Sequence, residues 1–261
     1  MGKNNQIFER IEKKYIMSKQ QYEAFREGIK EYMQVDQFGK HTICNIYFDT
    51  DQFDLIRRSI ESPAYKEKLR LRSYGVPTND SDTFIEIKKK WAGVVYKRRV
   101  EMPLQESREY IEEGVQPTKE SQIQKEIDYF IQFYKPLPKV FIGYDRIAMF
   151  GKEDSEIRIT FDFDIRTREY DLDLSLGDHG EPLLNENEVL MEIKIGGAYP
   201  IWLGSLLNHL RIYPTSFSKY GTIYKRSIAN IVGNTAKAVS GQQAVMLHDR
   251  NLQKRPQLQT V

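Results

Sequence analysis

The chain has 261 residues, of which 40% are hydrophobic, and its 39 Lys and Arg nearly balance 37 Asp and Glu for a net charge of +2. A generic nucleic-acid binder carries a clear basic excess, so no nucleic-acid partner is expected and any positive site has to be local. A single cysteine excludes a disulfide framework, scattered histidines at 41, 179, 209 and 247 lack zinc-site spacing, and no apolar run approaches the ~18 residues of a membrane span.

Residues 6–17 alternate as a strand, with Phe8, Arg10, Glu12 and Lys14 on one face and Ile7, Glu9, Ile11, Lys13 and Tyr15 on the other. Ser18 reads as the N-cap of a helix over 19–34, with Tyr22, Phe25, Ile29 and Tyr32 or Met33 as its apolar stripe. A strand is predicted over 41–49, with Cys44 as a small buried hydrophobe, and a helix over 50–60 opened by Asp51. Next comes KLRLRSYG, which puts Lys68, Arg70 and Arg72 on one face and Leu69 and Leu71 on the other. Turn residues Pro77, Asn79 and Asp80 lead to a strand over 83–90, and Trp91-Ala92-Gly93 leads to another over 94–102. Residues 66–102 thus predict a three-stranded antiparallel meander with a very basic polar face.

The signal turns helical from 103 to 134, with Ser107 and Ser121 as caps and Pro136 and Pro138 as terminators. A strand over 139–150 carries Tyr144 and Arg146 on one face. Residues 156–166 alternate most clearly, Glu156, Arg158, Thr160, Asp162, Asp164 and Arg166 against five apolar residues. A loop with a hairpin follows over 167–187, then a strand over 188–195 with Glu192 and Lys194 sharing a face. A helix over 200–210, a break at Tyr213-Pro214 and a last helix starting near Ser218-Lys219 complete the body. One domain over 1–231 is expected, then a polar, mobile tail over 232–261. The N-terminus lacks a signal-peptide core, so a reducing cytoplasmic location is expected.

The polar strand faces gather Arg10, Glu12, Lys14, Lys68, Arg70, Arg72, Glu86, Lys88, Lys90, Lys97, Arg99, Arg146, Arg158, Asp162, Asp164, Glu192 and Lys194. Two architectures hold them. An open sheet would leave this face in water as cross-strand ion pairs of little worth. A closed barrel would put the aliphatic face under helices and the charged face in the lumen. The density of Arg favours the barrel, because like charges crowd one face only when an anion offsets them. A polyphosphate is such an anion, suited to the forked guanidinium. Carboxylates fit beside it if they hold a divalent cation, with Glu12, Glu86, Asp162 and Glu192 as candidates.

FERIEKKY, IYFDT, KLRLRSYG, FIEIKKK, YKRR, GYDR, RITFD, LMEIK and SFSKY occur in that order along the chain. In this set the chain resembles the VTC domain, the polyphosphate polymerase domain of the triphosphate tunnel metalloenzyme superfamily, from about residue 8 to 231. The resemblance implies an α+β fold, an eight-stranded antiparallel tunnel with a charged lumen and flanking helices. It implies synthesis of polyphosphate from the terminal phosphate of ATP with Mn2+ or Mg2+. Arg70, Arg72, Lys88, Lys97, Tyr144, Arg146 and Arg158 would then be phosphate ligands. Arg10, Lys14, Lys90 and Lys194 would line the same wall, Ser218 and Lys219 would close one end, and Glu192, helped by Glu12, would hold the metal. Arg10 replaces the first acid of the superfamily's Glu-x-Glu-x-Lys strand, which argues against the cyclase and thiamine-triphosphatase branches. ATP and inorganic polyphosphate or triphosphate are the implied partners. The chain has no membrane segment, so coupling to transport would need a separate membrane partner. A tripolyphosphate or nucleoside triphosphate hydrolase and a non-catalytic polyphosphate-binding subunit are the competing functions.

Overall fold

A computed structural model describes residues 10–92, 94–117 and 121–230. Contacts divide the chain into two compact units, residues 1–221 and 222–261. In the second, residues 222–230 are helical; the tail expected from 232 lies outside the described residues.

In chain order the first unit runs β1 (Arg10–Ser18), α1 (Lys19–Gly28), β2 (Met33–Asp49), α2 (Asp54–Ile60), β3 (Tyr65–Tyr74), β4 (Asp82–Trp91) and β5 (Val94–Pro103). Then come α3 (Leu104–Arg108), a π turn (Glu109–Glu113), α4 (Gln122–Tyr134), β6 (Leu137–Gly151) and β7 (Arg158–Arg168). A 3-10 turn (Leu174–Leu176), β8 (Glu181–Pro182), β9 (Glu188–Gly196), α5 (Ile201–His209) and β10 (Pro214–Thr215) complete it.

All ten strands form one antiparallel sheet in the order β10-β1-β9-β7-β6-β2-β3-β4-β5, with β8 beside β7. The meander expected over 66–102 is β3, β4 and β5. Two features depart from the expected eight-stranded closed tunnel. The strand count rises because β8 and β10 are two-residue pairings, too short to show a period in sequence. The hydrogen-bond ladder is not closed among the described residues: β10 occupies the free edge of β1, and its Pro214 has no N–H with which to continue the ladder. The sheet curls all the same, since Lys14 of β1 lines one cavity with Lys68 of β3 and Lys97 of β5.

The aliphatic faces are buried under the helices. Met17, Phe161, Met191 and Ile193 pack with Phe25 of α1 and Leu203 of α5. Leu69, Ile85 and Ile87 pack with Tyr110 of the π turn and with Ile127 and Phe130 of α4. With the apolar side occupied, charged residues of β1, β3, β4, β5, β6 and β9 turn toward one cavity.

Local chemistry explains where elements begin and end. Ser18 forms a capping box with Gln21: its hydroxyl accepts from the Gln21 N–H at 3.1 Å, and its own N–H donates to Gln21 Oε1 at 3.0 Å. Ser18→Ala is therefore expected to cost about 1 kcal/mol, read as a lower urea midpoint at unchanged slope. The helix expected over 19–34 stops at Gly28, because Met33–Val35 are drawn into pairing with Met149–Gly151 of β6. Gly39, at φ +59°, sits in the bulge that follows. α2 opens at Asp54 rather than near residue 50. Its N-cap is Phe53, which makes no side-chain cap, and its first N–H groups are instead held from upstream: Thr50 Oγ1 accepts from the Asp54 N–H, and the Asp49 carboxylate accepts from the Leu55 and Ile56 N–H groups, each at 2.9 Å. Asp51 instead accepts from Lys139 at 3.2 Å. Ser121 caps α4 as expected, whereas Ser107 is buried inside α3 against Thr83. In β7, Asp164 adopts φ +46° where the pairing with β6 shifts register, and Arg166 turns away to Asp178 and Asp145.

Candidate functional site

Period-two alternation delivers every second residue of the long strands to the inner face. The result is a cavity of 210 Å³ lined by Glu12, Lys14, Tyr47, Lys68, Arg70, Arg72, Glu86, Lys88, Lys97, Tyr144, Arg146, Glu192, Lys194, Ser218, Lys219 and Tyr220. Nine cationic side chains thus face three carboxylates around one small volume.

Three clusters order them. In the first, Arg70 and Glu86 stand opposite each other on β3 and β4, and Arg70 Nε donates to Glu86 Oε2 at 2.7 Å while Nη1 donates to Tyr47 Oη at 2.9 Å. Arg72 Nε donates to Asn45 Oδ1 at 3.0 Å and Nη2 to Tyr144 Oη at 3.3 Å. Lys97 and Arg72 approach Glu86 Oε1 at 3.0 and 3.7 Å. Burial pushes the Glu86 carboxyl up, but Arg70, Arg72 and Lys97 outweigh it and hold it at about 2.

In the second cluster, Asp162 is fully buried. It accepts from Arg146 Nε and Nη2 at 2.6 and 2.8 Å and from Lys219 Nζ at 2.5 Å. Burial opposes its charge, yet Arg146 and Lys219 hold its carboxyl well below the usual range. Both cations also lie over the Tyr144 ring, at 5.0 and 4.4 Å from its centroid. Asp162 does not line the cavity; it fixes two cations that do.

In the third, Glu192 lies 2.6 Å from Lys194 and 3.8 Å from Lys14, and Glu12 lies 4.0 Å from Lys194. Burial raises the Glu192 carboxyl, and Lys194 and Lys14 bring it down to about 2. Lys14 also donates to the Phe217 carbonyl at 3.2 Å, beside Ser218. No group of three or more acidic, His or Cys side chains that could hold a metal occurs among the described residues. Glu86 and Asp162, both candidates by sequence, are occupied by Arg and Lys. Glu12 and Glu192 remain, with the Lys194 ammonium within 4.0 Å of both, which marks a place where a cation is stable. Two carboxylates suit a divalent ion such as Mg2+ or Mn2+ that completes its shell with phosphate oxygens and water.

Of the side chains expected at the site, Glu12, Lys14, Arg70, Arg72, Lys88, Lys97, Tyr144, Arg146, Glu192, Lys194, Ser218 and Lys219 line the cavity. Lys90 does not; it stands opposite Lys66 at the outer end of the β3–β4 ladder. Arg158 is exposed, opposite Lys194 on β9. The backbone of Arg10 pairs with Gly196, but its side chain lies outside the described residues. Sequence reasoning missed Tyr47 and Tyr220 altogether. Tyr47 was detectable, since Asn45, Tyr47 and Asp49 alternate with apolar residues on β2; Tyr220 stands in a helical turn with no period to betray it.

Lys68 has a consequence for pH. Burial, then Lys66, Lys14 and Lys88, push its ammonium down to about 8. With its ammonium at about 8, Lys68 would be partly neutral at pH 8.5, and a bound polyanion would restore the proton. Tripolyphosphate binding at pH 8.5 is therefore expected to take up protons and to weaken as pH rises through 8, whereas at pH 7 uptake from this group is small. Calorimetry in two buffers of different ionisation enthalpy checks both.

A VTC domain family match covers residues 9–228. A comparison with curated proteins gives no match. Among solved structures, a candidate adenylate cyclase from Vibrio parahaemolyticus aligns at TM-score 0.47 and 14% identity over 84% of this chain and 99% of its own. A protein from Pyrococcus horikoshii aligns at 0.44 and 12% over 83% and 99%. A candidate adenylyl cyclase from Hippeastrum, described as having a dominant triphosphatase activity, aligns at 0.47 and 15% over 83% and 95%. None of the three reaches 0.5, so family membership rests on the sequence match, and by that match the chain belongs to the VTC domain family.

Proposed function

We propose that this protein is a polyphosphate polymerase, which transfers the terminal phosphate of ATP to the end of a growing inorganic polyphosphate chain inside the tunnel. The observation that carries the proposal is the lining itself: nine cations and three carboxylates around 210 Å³. Such a wall is offset by a linear polyanion and by few other ligands.

The chemistry follows from the state of the carboxylates. Glu86 and Glu192, each held at about 2, are poor proton acceptors at neutral pH. The terminal phosphate of a polyphosphate chain is already ionised and needs no protein base. Arg70, Arg72, Arg146 and Lys219 would align donor and acceptor phosphates and neutralise the transferring group. Lys14, Lys88, Lys97 and Tyr144 would hold flanking phosphates, and Ser218 would close the end beside Lys14. Lys90 and Arg158 would meet only a chain that projects beyond the lining. Glu12 and Glu192 would hold Mn2+ or Mg2+, which would supply positive charge against the phosphates, and Lys194 would add its own charge to the chain. No helix among the described residues is long and apolar enough to cross a membrane.

Incubation with ATP and Mn2+, with products resolved on a polyphosphate-stained gel and free phosphate assayed in parallel, tests the proposal. Chains are expected. Phosphate released without chains selects the hydrolase, and neither product with tight tripolyphosphate binding selects the binding subunit.

A further inference from the structure

The turn between β4 and β5 reads Lys88-Lys89-Lys90-Trp91-Ala92-Gly93-Val94-Val95-Tyr96-Lys97-Arg98-Arg99: three cations, an apolar tip, three cations and no acid. The ladder sorts these residues by depth. Trp91 stands opposite Val94, Lys90 opposite Val95, Lys89 opposite Tyr96, and Lys88 opposite Lys97. The apolar pair is outermost, a mixed layer follows, and cations alone come next.

The tip is wet. Trp91 is 59% exposed, Tyr96 51%, Val95 47% and Val94 45%. Tyr65, opposite Trp91 on β3, adds an exposed ring edge-on at 5.8 Å. Isolated exposed apolar side chains mean little, but Tyr65, Trp91, Val94 and Tyr96 share one face of the projection, with Val95 on the other beside Lys90. The cations beneath are only partly answered. Glu126 pairs with Lys89 and Arg98, and Glu86 with Lys97. Lys66 and Lys90 stand opposite each other on the ladder, and Lys66 Nζ donates to the Ser59 carbonyl at 3.2 Å, a neutral partner that leaves the pair's like charges without an anion. Burial and the nearby Lys90 and Lys88 push the Lys66 ammonium down. The tunnel does not account for this, since neither Lys66 nor Lys90 lines it.

We propose that this hairpin tip docks on an anionic lipid surface. Trp91, Val94, Val95, Tyr96 and Tyr65 enter the interface, and Lys66, Lys89 and Lys90 meet the headgroups. The layering matches the depth profile of a bilayer surface, with apolar groups deepest, amphipathic rings at the boundary and lysine heads at the anionic level. A nucleic acid would use the cations but leave the valines in water. The net charge of +2 keeps the attraction local to this tip.

The chain has two tryptophans, Trp91 and Trp202, and Trp202 stacks on Tyr32 at 4.2 Å. The full chain is sedimented with vesicles of phosphatidylcholine alone or mixed with phosphatidylserine. The W202F variant, whose emission comes from Trp91, is followed by fluorescence in parallel. Sedimentation with anionic but not neutral vesicles and a blue shift of Trp91 emission are expected, both fading as salt rises. Lys90→Gln should lower partitioning about fivefold and Trp91→Ala about tenfold, with circular dichroism unchanged. Absence of anionic-vesicle binding, or binding that neither variant weakens, overturns the proposal. So does binding at this tip to a nucleic acid or a protein with no response to vesicles. None of these outcomes depends on whether the tunnel makes polyphosphate.

Discussion

Asp162→Asn is expected to destabilise the protein by about 3 kcal/mol, because it removes the buried charge that two half-buried cations share. The carboxylate is 1% exposed and receives three charge-assisted hydrogen bonds, two from Arg146 and one from Lys219. Asparagine keeps the shape but loses the charge, and its amide group presents donors where two donors already point. The loss should be partly reversible by ligand. Tripolyphosphate would supply the missing anion, so it should raise the melting temperature of the variant more than that of the wild type. The pH dependence has a definite sign. A carboxyl whose folded pKa lies below its unfolded value contributes stability above the unfolded range, near ~3.9, and loses it as pH falls toward the folded value. Acid unfolding of the wild type should therefore steepen below about pH 4, and that steepening should shrink in the variant. Equal stability of variant and wild type at pH 7 would mean that Arg146 and Lys219 do not depend on Asp162.

Under the polymerase activity proposed above, Arg72→Lys is expected to lower kcat by about 10²–10³, although the charge is kept. The Arg72 guanidinium is held in three directions at once, by Asn45, Tyr144 and Glu86. That fixes the plane of the fork relative to the cavity. A lysine ammonium reaches one of these partners at a time, and a planar two-point contact to phosphate is lost. The fall should appear in kcat more than in KM, because the remaining cations still bind the substrate. A change confined to KM would make Arg72 one more attractive charge rather than a group that acts on the transferring phosphate.

Much of this site was legible because a strand's period is short and strict. Once Lys68, Arg70 and Arg72 fell on one face, and Glu192 with Lys194 on another, packing the aliphatic faces under helices left the charges one place to go. What stayed hidden depended on contacts far apart in sequence. The role of Asp162 is set by Arg146 sixteen residues away and by Lys219 from another element. α1 ends at Gly28 because β6 takes the following residues into the sheet, which local helical spacing does not register. The turn of Arg166 away from the lumen comes from the positive φ of Asp164, a non-glycine residue whose sequence context reads as unbroken alternation. The outer placement of Lys90 reflects how far β4 runs past the cavity, which periodicity does not measure.

The central claim is that the cations of the lumen hold a linear polyphosphate. Calorimetric titration of the wild type and of Arg72→Ala with tripolyphosphate, at pH 7 and with Mg2+ present and absent, tests it most directly. One bound chain per protein, weakened about tenfold or more by the loss of one charge-assisted contact set, is the predicted result. No binding, or binding that the substitution leaves unchanged, would contradict it.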